Sequence, residues 1–375
     1  MDILSEMRPF FYPTAVAVVG VSREAWKFGS VTFSALRKFG SMPVYPVSSR
    51  LTEFMGLPVF PSISSLPKEV DLVVLCLPAA LVPASVQKCA GHGIPAVIIP
   101  SGGFREIGTE EGRSLEAELI RLAGSGMRLI GPNCFGVYSP AGGMTILPGE
   151  GYPKKSGGVS FFAQSGGLTE DFCGQAEVFG IYINHAVSYG NGCDVNELTL
   201  CEYFRSDEKT KMVGAYLEGV KTGRRFFESV REMAMTKPTV LWKAGLTPGG
   251  ARAAASHTGS LAGSDTAWRT FFKQTGAIQV FGMEELLDTL SVFSHLPPTS
   301  NDQVAVICGG GGAAVAAGDA CYRAGLTIAS FDEKTREKLR AILPPTGAGR
   351  NNPLDCDVPF PRSSVFRSIL EHGDR

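Results

Sequence analysis

TAVAVVGVS, residues 14–22, holds an unbroken apolar run, Ala15 to Val19, that ends on Gly20. A strand with water on one face alternates apolar and polar residues; a run without alternation fits a strand buried on both faces, as in a parallel sheet covered by helices on each side. Helix-compatible sequence follows the glycine, so the stretch reads as strand, turn, helix. The same grammar returns in GGVSFFAQSGGLTED (157–171) and QVAVICGGGGAAVAAGDACYRAG (303–325), and the runs DLVVLCL and AVIIP supply further strands of the same kind. The chain therefore reads as α/β with parallel sheets and crossover helices.

Two stretches rich in Pro, Gly or Ser interrupt this pattern: SPAGGMTILPGEGYPKKSGG (139–158) and SHLPPTSND (294–302). They divide the chain into domains over 1–145 and 146–300, with 301–375 as half of a third α/β domain. Its 375 residues, 44% hydrophobic and 19% charged, suffice for large cores. The net charge of −1, with Lys and Arg scattered, provides no pull toward nucleic acid or an anionic membrane. The first residues, MDILSEMRPF, contain no signal-like apolar stretch, and VDLVVLCLPAALVPA is too short and Pro-broken to span a bilayer, so a cytoplasmic protein is expected. Nine cysteines without any C-x-x-C spacing read as reduced thiols rather than a disulfide framework or zinc site, and no metal is expected.

The candidate chemistry sits where strand-like runs end. After the first, Gly20, Val21 and Ser22 form a turn whose N–H groups face an anion at a helix start, or simply a tight turn. The G-x-G-x-x-G spacing of a dinucleotide site is broken there, which weighs against an NAD-dependent dehydrogenase. Arg50 follows the next run and is either a nucleotide contact or a solvated surface residue. In FFAQSGGLTED, Gln164, Ser165, Gly166 and Gly167 precede a helix; small residues there let a phosphate approach unsatisfied N–H groups, while the plain alternative is a Ser N-cap. Glu218 ends another run, in GAYLEGV, where a carboxylate can orient an imidazole by accepting its N–H, or can be a surface charge. SGGFREIG (101–108) and IGPNCFG (130–136) also follow strand-like runs. The glycines 309–312 lack the G-K-[ST] ending of a phosphate loop and read as a tight turn. His257, in AAASHTGSLAG (253–263), lies among small residues with neither core neighbours nor fellow ligands.

Taken in order, AVAVVGVS, VDLVVLCLP, SGGFREIGTEEG, GPNCFG, FFAQSGGL, YGNGCDVNELTLCEYF, YLEGV, KPTVLWKAG and SHTGSLAGSD resemble the NDP-forming acyl-CoA synthetases, the superfamily of ADP-forming acetyl-CoA synthetase and the succinyl-CoA synthetase α subunit. The resemblance implies a Rossmann-like CoA-binding domain, then a flavodoxin-like domain. It implies that His257 is transiently phosphorylated, that Glu218 orients it, and that Gln164 to Gly167 hold phosphate. Gly20, Val21, Ser22 and Arg50 would meet the CoA phosphates and adenosine; Pro78, Phe104 and Asn133 would line the pantetheine path.

The implied reaction interconverts acyl-CoA, ADP and phosphate with a carboxylic acid, CoA and ATP through an acyl phosphate and phosphohistidine. Where relatives read V-N-P-K, this chain reads Val47, Ser48, Ser49, Arg50: the positive charge survives but the Asn and Pro do not. The family's nucleotide chemistry belongs to an ATP-grasp domain without a counterpart among these motifs. CoA is therefore expected as substrate, with ATP or ADP and Mg handled by an ATP-grasp partner in an oligomer. The alternative is a CoA-binding regulatory or interaction protein without turnover.

Overall fold

The computed structural model describes the chain apart from residues 1, 125, 150, 251, 253–263, 298–300, 344–350, 357–366 and 368–375. His257 therefore lies outside the described residues. Residues 1–296 form one compact unit and 297–375 another.

The first sheet contains β1 (Val16–Val19), β2 (Val44–Val47), β5 (Leu72–Leu75), β6 (Ala96–Ile98) and β7 (Arg128–Ile130), all parallel, in the order β2-β1-β5-β6-β7; β3 (Glu53–Phe54) and β4 (Leu57–Pro58) make a small separate hairpin. Helices α2 (Phe28–Phe39), α3 (Val82–His92) and α4 (Glu110–Ala123) connect these strands. Every residue of β1 and β5 is buried, as the unalternating runs require. Val16, Val18, Leu72 and Val74 join one core cluster while Ala17, Val19, Val73 and Leu75 join another, so successive side chains serve opposite faces of the sheet.

The second sheet runs β14-β13-β12-β10-β11-β8-β9. Its parallel strands are β10 (Val159–Ala163), β11 (Ile183–Ser188), β12 (Met212–Leu217), β13 (Thr239–Lys243) and β14 (Ile278–Val280). The connecting helices are α5 (Gly166–Gln175), α6 (Glu197–Ser206), α7 (Gly223–Ala234) and α8 (Asp265–Thr275), and α9 (Met283–His295) follows the last strand. In both sheets the first of the parallel strands is flanked by the second and the third, so each reverses its winding once, between β1 and β5 and between β10 and β12. In open α/β sheets ligands bind at the carboxyl ends of strands at such a reversal.

The sheets change over earlier than residue 145. β8 (Gly136–Ser139) pairs antiparallel with β11, and β9 (Met144–Thr145) with β8, so the stretch expected to finish the first domain completes the second sheet. Helix α1 (Ile3–Phe11), capped by Asp2 accepting the Ser5 N–H, also reaches across the two domains: Phe11 stacks 4.8 Å from Tyr203 of α6 and 4.1 Å from the His185 ring of β11. One continuous cluster joins Val16 and Leu72 of the first sheet to Phe162, Val213 and Leu241 of the second.

In the second unit, β15 (Gln303–Val304) pairs with β17 (Thr327–Ile328) and β16 (Ile307–Cys308) with β18 (Leu354–Asp355), both parallel, beside α10 (Gly311–Arg323) and α11 (Glu333–Ile342). Of the glycine run expected as a tight turn, Gly309 and Gly310 form the turn after β16, while Gly311 and Gly312 already belong to the first turn of α10.

Candidate active site

Each expected residue of the first domain lies just beyond the carboxyl end of a different strand. Gly20, Val21 and Ser22 follow β1, Arg50 follows β2, Pro78 follows β5, Phe104 comes after β6 and Asn133 after β7. Gly20 has φ +98°, and a Cβ on it would stand 2.2 Å from the Cys76 carbonyl, so only glycine lets β1 and β5 come this close. Ser30, in the first turn of α2, ties the loop down: its Oγ donates to the Ser22 carbonyl at 2.7 Å and accepts the Ser22 N–H at 3.2 Å. Arg50 and Pro78 are exposed. Phe104 departs from the expectation. Its ring is 0% exposed in the core, so its side chain offers no surface to a ligand.

The loop after β6 is held through hydrogen bonds. Glu106 accepts the N–H groups of Gly103 (2.6 Å) and Phe104 (3.1 Å), and its other oxygen accepts Asn191 Nδ2 at 2.6 Å. Asn191, from the loop after β11, also donates to the buried Glu116 at 2.7 Å, while Arg105 Nε lies 3.2 Å from Glu116 and its NH2 donates to the Asn191 carbonyl at 2.8 Å. Burial works to raise the Glu106 carboxyl, and the hydrogen bonds from Asn191, Gly103 and Phe104 outweigh it, leaving it below its ordinary value of 4.5. Asn133 sits in this junction with φ +60°, its N–H donating to the Ser101 carbonyl at 2.9 Å. YGNG and GPNCFG are thus two sides of one seam.

At the second reversal, Ser165 caps α5 by accepting the Leu168 N–H at 3.3 Å, and nothing stands within 4 Å of where a Gly167 Cβ would be. Gly166 packs on the Phe135 ring, which also stands 5.8 Å from the ring of Phe28, the first residue of α2. The amino ends of α2 and α5 therefore meet across a single phenyl ring, each with its partial positive charge.

Gln164 was expected among the phosphate ligands, but its Oε1 accepts the N–H groups of Glu218 (2.6 Å) and Gly219 (3.1 Å). That oxygen is committed to the end of β12, so it is the amide Nε2, a donor, that suits a phosphate. Glu218 is 6% exposed, with the Tyr216 hydroxyl donating to its Oε1 at 3.3 Å. On its far side, Lys243 donates to the Glu218 carbonyl at 2.8 Å. This lysine was not singled out in the sequence, although a charge closing the apolar run TVLW of a buried strand is the signal that could have found it.

The described histidines do not compete for the role expected of His257. His92 and His295 lie at the carboxyl ends of α3 and α9. His185 is 0% exposed, and burial pushes it down to about 3 against the pull of Asp207, so it stays neutral. Burial likewise pushes the Cys134 thiol up to about 12, which removes it as a thiolate nucleophile near the seam. Among the described residues no group of three His, Cys, Asp or Glu could hold a metal, and no helix is long and apolar enough to cross a membrane.

Residues 14–140 match the CoA binding domain family, and residues 156–293 match the succinyl-CoA ligase like flavodoxin domain. The chain is 38% identical over 363 residues to the acetate–CoA ligase (ADP-forming) I subunit alpha of Pyrococcus furiosus, covering 93% of this chain and 76% of that subunit. It belongs to the ADP-forming acyl-CoA synthetase family. It is also 35% identical over 351 residues to the acetate–CoA ligase (ADP-forming) of Methanocaldococcus jannaschii, covering 93% of this chain but only 49% of that protein. The chain thus spans about half the length of that relative. Among solved structures it is similar to the dinucleotide forming acetyl-coenzyme A synthetase 1 of Ca. Korarchaeum cryptofilum, in complex with phosphate and ADP, with TM-score 0.84 and 34% identity over 93% of this chain and 75% of that one. An α-type subunit or amino-terminal portion of such a synthetase accounts for the order of domains and for the strand-end loops that carry the site.

Proposed function

We propose that this chain carries the acyl-CoA and phosphohistidine half of an ADP-forming acid–thiol ligase, with CoA and a small carboxylic acid as its substrates. The observation that carries the reading is the meeting of Glu218, held by Gln164, with the capped amino end of α5 at the reversal of the second sheet. A carboxylate and a bank of N–H groups are the two things a phosphorylated imidazole needs: one to accept its second N–H, the other to meet its phosphate, which carries roughly −1.5 to −2 charge.

The reaction begins when an oxygen of inorganic phosphate attacks the thioester carbon. The C–O bond forms, the C–S bond breaks, and CoA leaves as the thiol once protonated. A ring nitrogen of His257 then attacks the phosphorus, forming P–N and releasing the carboxylate as the acyl P–O bond breaks. Glu218 accepts the N–H of the other ring nitrogen and stabilises the imidazolium. The N–H groups at the start of α5, beyond Ser165, hold the phosphate oxygens. Transfer to ADP, with Mg, takes place on an ATP-grasp partner within an oligomer, and all steps are reversible. The Gly20 to Ser22 loop and Arg50 hold the CoA phosphates, while Pro78 and Asn133 flank the arm that reaches the thioester. A cytoplasmic location agrees with the nine free cysteines.

The test is to incubate the purified chain with acetyl-CoA and labelled phosphate. Base-stable, acid-labile label on the wild type but not on His257→Ala supports the reading; no label, or label that survives the substitution, rejects it.

A further inference from the structure

Lys243 is a charged residue in a place that disfavours charge. It closes β13, lies in register with Leu217 of β12, and is 3% exposed. Its Nζ donates to the carbonyls of Glu218 (2.8 Å) and Ala244, and stands 5.1 Å from the centre of the Trp268 ring of α8. A buried ammonium costs free energy that two carbonyls and a ring face only partly offset, and an apolar side chain would fill a strand end as well. The geometry indicates what the charge does. Glu218 is gripped by its own main chain from both flanking strands: Gln164 of the β10 side takes its N–H, and Lys243 of the β13 side takes its carbonyl.

We propose that Lys243 is a positioning residue for phosphoryl transfer: it fixes the Glu218 backbone from the β13 side and sets a positive charge beside the carboxylate that holds the imidazole. This rests on the role proposed above for Glu218. Two groups from neighbouring elements face this lysine among the described residues: the Glu218 carboxylate, with the Tyr216 hydroxyl donating to it, and the uncharged Trp268 ring. Burial pulls the ammonium down to about 8, with the Glu218 charge opposing the shift. The positive charge is therefore present at neutral pH and lost above about pH 8.

The full chain is incubated with acetyl-CoA and labelled inorganic phosphate, and the initial rate of acid-labile labelling is followed from pH 6.5 to 9.5 for wild type, Lys243→Met and Lys243→Arg. The expected wild-type rate falls above about pH 8. Lys243→Met is expected at least tenfold slower at pH 7 with a wild-type circular dichroism spectrum, and Lys243→Arg, whose charge does not titrate, keeps its neutral-pH rate to pH 9.5. If Lys243→Met does not fold, Lys243→Arg alone decides. A Lys243→Met rate within twofold of wild type, or an unchanged alkaline fall in Lys243→Arg, overturns the proposal while leaving the phosphohistidine reading intact. A wild type that takes no label overturns both.

Discussion

The side-chain oxygen of Gln164 accepts the Glu218 N–H at 2.6 Å, joining the ends of two adjacent strands at the point where the second sheet reverses. Removing that acceptor strands two buried donors, the N–H groups of Glu218 and Gly219. Gln164→Ala should lower the unfolding free energy by about 1–3 kcal/mol, read from urea titrations, and slow phosphoenzyme formation by misplacing the carboxylate. Unchanged labelling in a measurably destabilised variant would mean that Glu218 needs no such anchor.

Ser165 has a smaller but separable effect. Its hydroxyl satisfies the Leu168 N–H, so Ser165→Ala should cost about 0.5–2 kcal/mol. The same substitution should weaken phosphate binding, because a frayed first turn presents its N–H groups poorly. Calorimetric titration with inorganic phosphate reads the second effect independently of the first.

Gly20→Ala tests the CoA loop. The added methyl meets the Cys76 carbonyl at 2.2 Å with φ at +98°, where a side chain is strained in any event. The residue strain alone is on the order of 1–3 kcal/mol, and relieving the clash pushes β1 away from β5. CoA affinity in a competition assay should fall at least tenfold. Wild-type affinity would show that CoA does not lie at this reversal.

The Glu106 seam should respond to acid. Its carboxyl is lower in the folded chain than its ordinary 4.5, so the stability it contributes is complete above that value and is lost as pH falls through the lower folded value. Asn191→Leu removes donors from both Glu106 and Glu116. The variant should be less stable at pH 7, and its deficit relative to wild type should shrink as the pH is taken below 4. A deficit that stays constant across this range would exclude the linkage.

The layered architecture was legible because a parallel strand declares itself locally: Val16–Val19 and Leu72–Leu75 are apolar at every position, and no distant residue is needed to read that. The strand-end placement of Gly20, Arg50, Gln164 and Glu218 followed from the same runs. Non-local relations were not legible. Gln164 meets Glu218 across 54 residues, and its amide is equally suited to a phosphate or a backbone. The Phe104 ring, at the start of the short helical turn Arg105–Ile107, is buried in a core cluster built from residues far away in sequence. Lys243 escaped notice because lysine is rarely buried and is ordinarily taken for a surface residue. The Pro- and Gly-rich stretch after residue 139 has the composition of a linker, yet its edge pairing with β8 makes part of it sheet.

That early change of sheet bears on how residues 1–296 come apart. Because α1 and the β8–β9 hairpin pack across the two domains, a fragment cut at residue 145 would leave the second sheet without an edge and uncover Phe11's site on Tyr203. The two domains should therefore melt in a single calorimetric transition, with the van't Hoff enthalpy matching the total heat. A loosened CoA loop and a loosened histidine site would then be the same event.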